Sequence, residues 1–154
     1  DSLFRIVAAW NIAVPDIPLE KVYRRAIKSF NQWQYDKQWR YESYDGSGEQ
    51  ASINSDPAFL ARIAVNYIRH ELTGYDQQLE CLFGKTGKAG GYMILNHKIY
   101  HAIADKWPAL REESERQFVN KELSSESPLR LQFSDNLKTI FRNNSDSPVN
   151  PECR

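Results

Sequence analysis

The run RHELTGYD at positions 69–76 brings a guanidinium (Arg69), an imidazole (His70), a hydroxyl (Thr73) and a carboxylate (Asp76) close together in the chain. These are the side chains that anion binding and acid–base chemistry use. On a continuous helix Arg69, Thr73 and Asp76 fall at i, i+4 and i+7 along one edge, an arrangement able to hold a phosphate or a metal-bound water. His70 and Asp76 are the candidates for a catalytic pair. The same residues also make a helix ending: Thr73 and Asp76 have the spacing of a capping box, Gly74 is a break, and Arg69 can pair with Asp76 across the bend.

The remaining imidazoles give a second constellation. His97 and His101 stand at i and i+4 with Asp105 one turn further, all off the Ile99 and Ile103 face, so a helix aligns two imidazoles and a carboxylate. With His70 added, a divalent-metal site of three imidazoles, or of two and a carboxylate, can be drawn. Without it, the pair reads as a solvated face and no cofactor is required.

A third constellation lies between Lys21 and Tyr44. There Lys21, Arg24, Arg25, Lys28, Lys37 and Arg40 face only two carboxylates, Asp36 and Glu42. Trp33, Tyr35, Trp39 and Tyr41 interleave with them, and such rings stack on unpaired bases while cations track phosphates. Large aromatics also simply fill cores. The segment FGKTGKAGGY at 83–92 adds Lys85 and Lys88 on a glycine-rich backbone that can offer amides and charge to a phosphate. It is not a nucleotide-binding P-loop, because Leu79 stands where that motif needs its first glycine and a helix leads into it. Nothing supports a catalytic triad: Cys81 has no neighbouring histidine, Gly-x-Ser-x-Gly is absent, and Glu112, Glu113 and Glu115 read as a solvated face.

The motif formed by Arg69, His70, Thr73, Tyr75 and Asp76, with Leu79 after it, resembles the Arg-His-x-x-Thr-x-Tyr-Asp signature of an uncharacterised family found in bacteria and fungi. The resemblance spans about Phe59 to Trp107, since that family carries a second helix ending near a tryptophan. This chain departs from it by the long glycine-rich loop between the two. The resemblance implies a helical fold and weight on residues 69–76, and no activity.

Hydrophobic spacing supplies the elements that position these groups. Leu3, Ile6, Val7 and Trp10 recur at helical period behind Ser2, and Pro15 closes that element. From Asp16 and Pro18 a second helix presents Leu19, Val22, Tyr23, Ala26, Ile27 and Phe30 on one face. The odd positions from Trp33 to Tyr41 then alternate with polar ones, which predicts a short aromatic β-ribbon near 33–44, and 45–55 reads as a loop. Asp56 and Pro57 open a helix with the stripe Leu60, Ile63, Ala64, Tyr67, Ile68 and Leu72, interrupted at Gly74. A short helix from Tyr75 to Phe83 and the glycine-rich loop follow. A longer helix from Tyr92 to Trp107 is ended by Pro108 and resumed over Leu110 to Phe118. Past Lys121 the chain turns polar, with one amphipathic segment at Leu137, Ile140 and Phe141.

The expected fold is therefore mainly α, a single-domain helical bundle-like core over 1–122 with a polar, partly flexible tail over 123–154. With 154 residues the chain is long enough for a core without disulfides, and Cys81 and Cys153 read as reduced thiols. Twenty Lys and Arg balance twenty Asp and Glu, so attraction to a polyanion has to be local. The apolar stretch from Leu3 to Val14 contains Arg5 and Asn11, is too short to span a bilayer and lacks the basic flank of a signal peptide, which places the protein in the cytoplasm with no membrane partner. The function expected from these residues is a non-enzymatic nucleic-acid-associated or assembly module. It would use Arg24, Arg25, Lys28, Trp33, Lys37, Trp39, Arg40, Arg69, Lys85 and Lys88. The alternatives are a metal-dependent phosphodiester hydrolase built on His70, His97 and His101, and a protein–protein adaptor.

Overall fold

In the computed structural model the described residues are 12–40, 50–78, 80, 92–122, 138, 139, 141 and 142. All regular structure among them is helical. Helix α1 spans Leu19–Arg40 and α2 spans Pro57–Tyr67, continued by one π-helical turn, Ile68–Leu72. Helix α3 spans Tyr92–Lys106, and a 3-10 turn, Pro108–Leu110, leads into α4, Arg111–Glu122. Helix α1 packs on α2 and α3 packs on α4, with α2 also meeting α4. The mainly helical core expected from the apolar stripes is present: Val22, Ala26, Leu60, Ile63, Ile68, Leu95, Ile99, Ile103, Leu110 and Phe118 are all buried. No helix among the described residues is long and apolar enough to cross a membrane.

The helix starts follow local chemistry. The Pro18 carbonyl accepts the first amides of α1, from Lys21 at 3.0 Å and Val22 at 3.1 Å. Asp56 caps α2 by accepting from the Ala58 and Phe59 amides at 3.1 and 3.3 Å, ahead of Pro57 at the first helical position. Asn31 ties the connection between the two helices to α1, donating to the Ala51 carbonyl at 3.0 Å and accepting the Ala51 amide at 2.8 Å. At the end of α3, the Trp107 indole donates to the Ile17 carbonyl at 2.7 Å beside the Lys106–Asp16 ion pair, which clasps the chain ahead of α1.

One expectation is corrected. Residues 33–40 are not a strand but the last turns of α1. Once a helix is nucleated, each further residue costs little, and Gln, Lys and Arg disturb it little. The ring of Trp33 meets Phe30 one turn earlier at 6.0 Å, and Gln32 donates to Asp36 at 3.1 Å across the next turn. The remainder of the expected ribbon, 41–44, lies outside the described residues, as do the helix expected over Leu3–Trp10, the glycine-rich loop with Lys85 and Lys88, and both cysteines. Of the short helix expected after Gly74, residues 75–78 and 80 are helical. In the polar C-terminal region, residues 138, 139, 141 and 142 are helical as well, and Phe141 is fully buried.

Candidate functional site

The run RHELTGYD forms a bend. Ile68–Leu72 widens into a π turn, a feature that inserts one residue into the helical register and is frequent at functional sites. The Thr73 hydroxyl donates to the Arg69 carbonyl at 2.6 Å, and Gly74 turns the chain at φ 71°, where L side chains are strained. The next helical turn begins with the Gln78 amide bonded to the Gly74 carbonyl at 3.0 Å.

This geometry rearranges the pairs expected from a continuous helix. Asp76 bonds His70, not Arg69, with Oδ1 2.9 Å from the imidazole Nδ1. Thr73 acts on the backbone of the preceding turn and not as a reciprocal cap. Both changes follow from the extra residue of the π turn and the break at Gly74, which together cancel the i, i+4, i+7 alignment.

Arg69 turns inward and is only 7 % exposed. Its guanidinium carbon sits 4.8 Å from the centre of the Tyr75 ring and 6.0 Å from that of Tyr100, a fully buried residue of α3. Its Nε is sealed from solvent without a hydrogen-bond partner, and among the described residues no carboxylate pairs with it. Buried guanidinium groups ordinarily pair with anions, because desolvating a lone charge is costly.

Arg69 and His70 line an open groove of about 710 Å³ between α1 and the α2 bend. Helix α1 contributes Phe30, Trp33 and Gln34; α2 contributes Arg62 and Asn66, and the π turn adds Glu71. Trp33 is 53 % exposed. Phe30 meets Phe59 edge-on at 5.2 Å, and the Arg62 guanidinium lies 5.0 Å over the Phe59 ring, so the groove carries interlocked aromatic and cationic groups. Phe30, Arg62 and Asn66 were not among the expected site residues. The signal for Arg62 and Asn66 is their spacing with His70, i, i+4 and i+8, along the polar edge of the α2 stripe.

The basic-aromatic surface expected over 21–44 is divided by its helical form. At about 100° per residue, positions 26, 30, 33 and 34 share the groove side of α1, and positions 37 and 40 continue that side. Positions 21, 24, 28, 35 and 39 fall on the opposite side. Lys21, Arg24, Arg25 and Lys28 are exposed there, with Arg24 bound to Glu20 at 3.0 Å. The structure thus brings Trp33 and Arg69 to one groove and leaves Arg24 and Lys28 away from it. Lys37, Trp39 and Arg40 are placed by backbone register alone.

His97 and His101 belong to another cluster. Their rings are 5.7 Å apart, and the Phe118 and Phe141 rings lie 5.6 and 6.0 Å from His97. His97 is buried, not on a solvated face. His101 Nδ1 stands 3.3 Å from Asp105, whose other oxygen accepts from Arg111 at 3.1 Å. Among the described residues no group of three or more His, Cys, Asp or Glu side chains is placed to hold a metal ion. His70 instead meets Tyr75 edge-on at 6.0 Å and bonds Asp76.

No protein-family model matches the chain, and neither does any curated protein or solved structure.

Proposed function

We propose that this chain is a nucleic-acid-associated module that holds an unpaired strand along the groove between α1 and the α2 bend. The observation that carries this reading is the meeting of a half-exposed indole, Trp33, with Arg62, Arg69 and His70 on one groove. A base has a π face for the indole, its phosphates are anions of the kind that Arg62 and Arg69 do not meet among the described residues, and the groove is open enough for a strand to enter and leave. Positions 37 and 40 extend the same side of α1 along the direction a strand would follow. Lys21, Arg25 and Lys28 on the far side of α1 add long-range attraction without touching the groove.

The test is a titration of the protein with a single-stranded oligonucleotide across a range of salt. Binding weakens with salt, and contacts from three cations give a logarithmic slope of about −2. Trp33→Ala lowers affinity by about 1–3 kcal/mol, the value of one stacked base. A titration with no signal at low salt overturns the reading.

One observation favours a second reading, phosphodiester hydrolysis in the same groove. The His70–Asp76 pair fixes Nδ1 and leaves Nε2 for a substrate proton, and Arg69 is at hand for developing charge. Incubating a labelled oligonucleotide with the protein and added magnesium, manganese or zinc decides this. An intact oligonucleotide in every case ends it.

A further inference from the structure

The division of labour at the bend is specific enough to name the group it binds. A guanidinium has two hydrogen-bonding edges, one using Nε and one using the two terminal nitrogens. In Arg69 the Nε is sealed without a partner, so the terminal edge is the one a ligand can meet. Tyr75 and Tyr100 hold the guanidinium plane by their ring faces, which restricts its rotation without using any of its donors. The neighbouring residue, His70, has its Nδ1 committed to Asp76 at 2.9 Å, leaving Nε2 as its remaining polar atom. Arg69, His70 and Arg62 all line the same groove.

We infer that this bend holds a binding site for a phosphate group, in which the terminal edge of Arg69 grips two oxygens and Nε2 of His70 meets a third. A carboxylate is satisfied by the guanidinium edge alone, with both its oxygens in one plane. A third donor from a separate side chain, Nε2–H of His70 when the ring carries both protons, matches the tetrahedral array of a phosphate. Arg62 supplies further positive charge on the same wall of the groove, and Glu71 opposes it. The phosphate has two sources: an internal phosphodiester of a strand, where His70 shares one of the two non-bridging oxygens with Arg69, and a terminal phosphomonoester, which offers a third oxygen of its own. The inference deepens the groove reading and rests on it for the strand, though not for the phosphate itself.

The full chain is titrated with inorganic phosphate, following the His70 ring nitrogen resonances by NMR and the heat of binding by calorimetry, with chloride at equal ionic strength as the control. Phosphate shifts the His70 Nε2 resonance saturably and chloride does not. Arg69→Lys, which keeps the charge and loses the fork, weakens phosphate about tenfold, as loss of a charge-assisted hydrogen bond requires. Glu71→Gln strengthens it several-fold, and this variant decides the matter if Arg69→Lys does not fold. A second arm compares an oligonucleotide bearing a 5′-phosphate with its 5′-hydroxyl form. A preference for the former that Arg69→Lys removes assigns the site to a chain end, and equal binding that Arg69→Lys weakens assigns it to the backbone. Phosphate behaving as chloride, or both variants binding it as the native chain does, overturns the site. Strand binding that survives this outcome leaves the groove reading standing, while phosphate binding without strand binding removes that reading and keeps the site.

Discussion

A guanidinium that is 7 % exposed and has no carboxylate beside it among the described residues contributes little to stability, whatever its use. Its contacts with Tyr75 and Tyr100 are cation–π contacts, together about 1–2 kcal/mol. Against this stands the cost of removing its charge from water, several kcal/mol per buried ion. Arg69→Met keeps the length and apolar bulk of the side chain and removes both effects. Its stability by urea denaturation is therefore expected to be no lower than that of the native chain, with oligonucleotide binding lost. A loss of about 3–5 kcal/mol, the usual result of breaking a buried ion pair, would show that Arg69 holds the fold together and is not kept for a ligand. At this scale the sequence was informative about membership and not about pairing. The side chains of RHELTGYD identified the bend, but which carboxylate meets which cation depends on the one-residue insertion at Ile68–Leu72, and no residue type in that run demands a π turn.

Each element shows where periodicity was sufficient and where it was not. The stripes of α2 and α3 were legible because their apolar spacing fits only one period. The stretch 33–40 fits two, since Trp33, Tyr35, Lys37 and Trp39 alternate while Trp33 also follows Phe30 at i+3. Continuation of a helix already formed decided between them, and with it which residues share the groove. Gly74 was legible as a break, and its role is conformational: an added Cβ would meet only Gln77 Oε1, at 3.9 Å, so space is not limiting. The φ of 71° is limiting, and Gly74→Ala is expected to cost about 1–2 kcal/mol, with Gly74→Asn less damaging because Asn tolerates this region. Thermal unfolding of the two variants gives the order; equal losses would point to crowding instead. The clasp of α3 on the chain before α1 depends on pH. Lys106, through its hydrogen bond and then its charge, holds the Asp16 carboxyl below its ordinary value of 3.8. A lowered carboxyl pKa in the folded state means that the contribution is present above 3.8 and is lost as pH falls through the folded value. Asp16→Asn is therefore slightly less stable than the native chain at neutral pH, and the difference closes in strong acid. A difference that persists there would mean the asparagine disturbs something other than this ion pair.

Across the whole molecule, the groove and the C-terminal segment belong to different parts of one core. The groove is walled by α1, α2 and the π turn. Phe141 seats among His97, His101 and Phe118 on α3 and α4, and Arg142 grips Glu115 through two bonds of 2.8 and 3.0 Å. Tyr100 is the link between these regions, since its ring lies near Arg69 and its hydroxyl bonds Gln117 of α4 at 3.4 Å. Gln117 in turn donates to the Arg62 carbonyl at 3.4 Å, which ties α4 to the groove wall. Phe141→Ala empties a site that is fully buried, and truncations of that kind cost about 3–5 kcal/mol. If Phe141 serves only the core, the variant unfolds at lower temperature and lower urea, yet its folded fraction binds the oligonucleotide as the native chain does, because no groove residue is lost. Arg142→Ala separates packing from charge. Its partner Glu115 is left largely buried without the guanidinium, so part of the Phe141→Ala destabilisation is reproduced while the aromatic cluster stays filled. Affinity falling in parallel with stability in both variants would mean that the C-terminal segment acts on the groove through Tyr100 and Gln117, and that the two regions work as one unit.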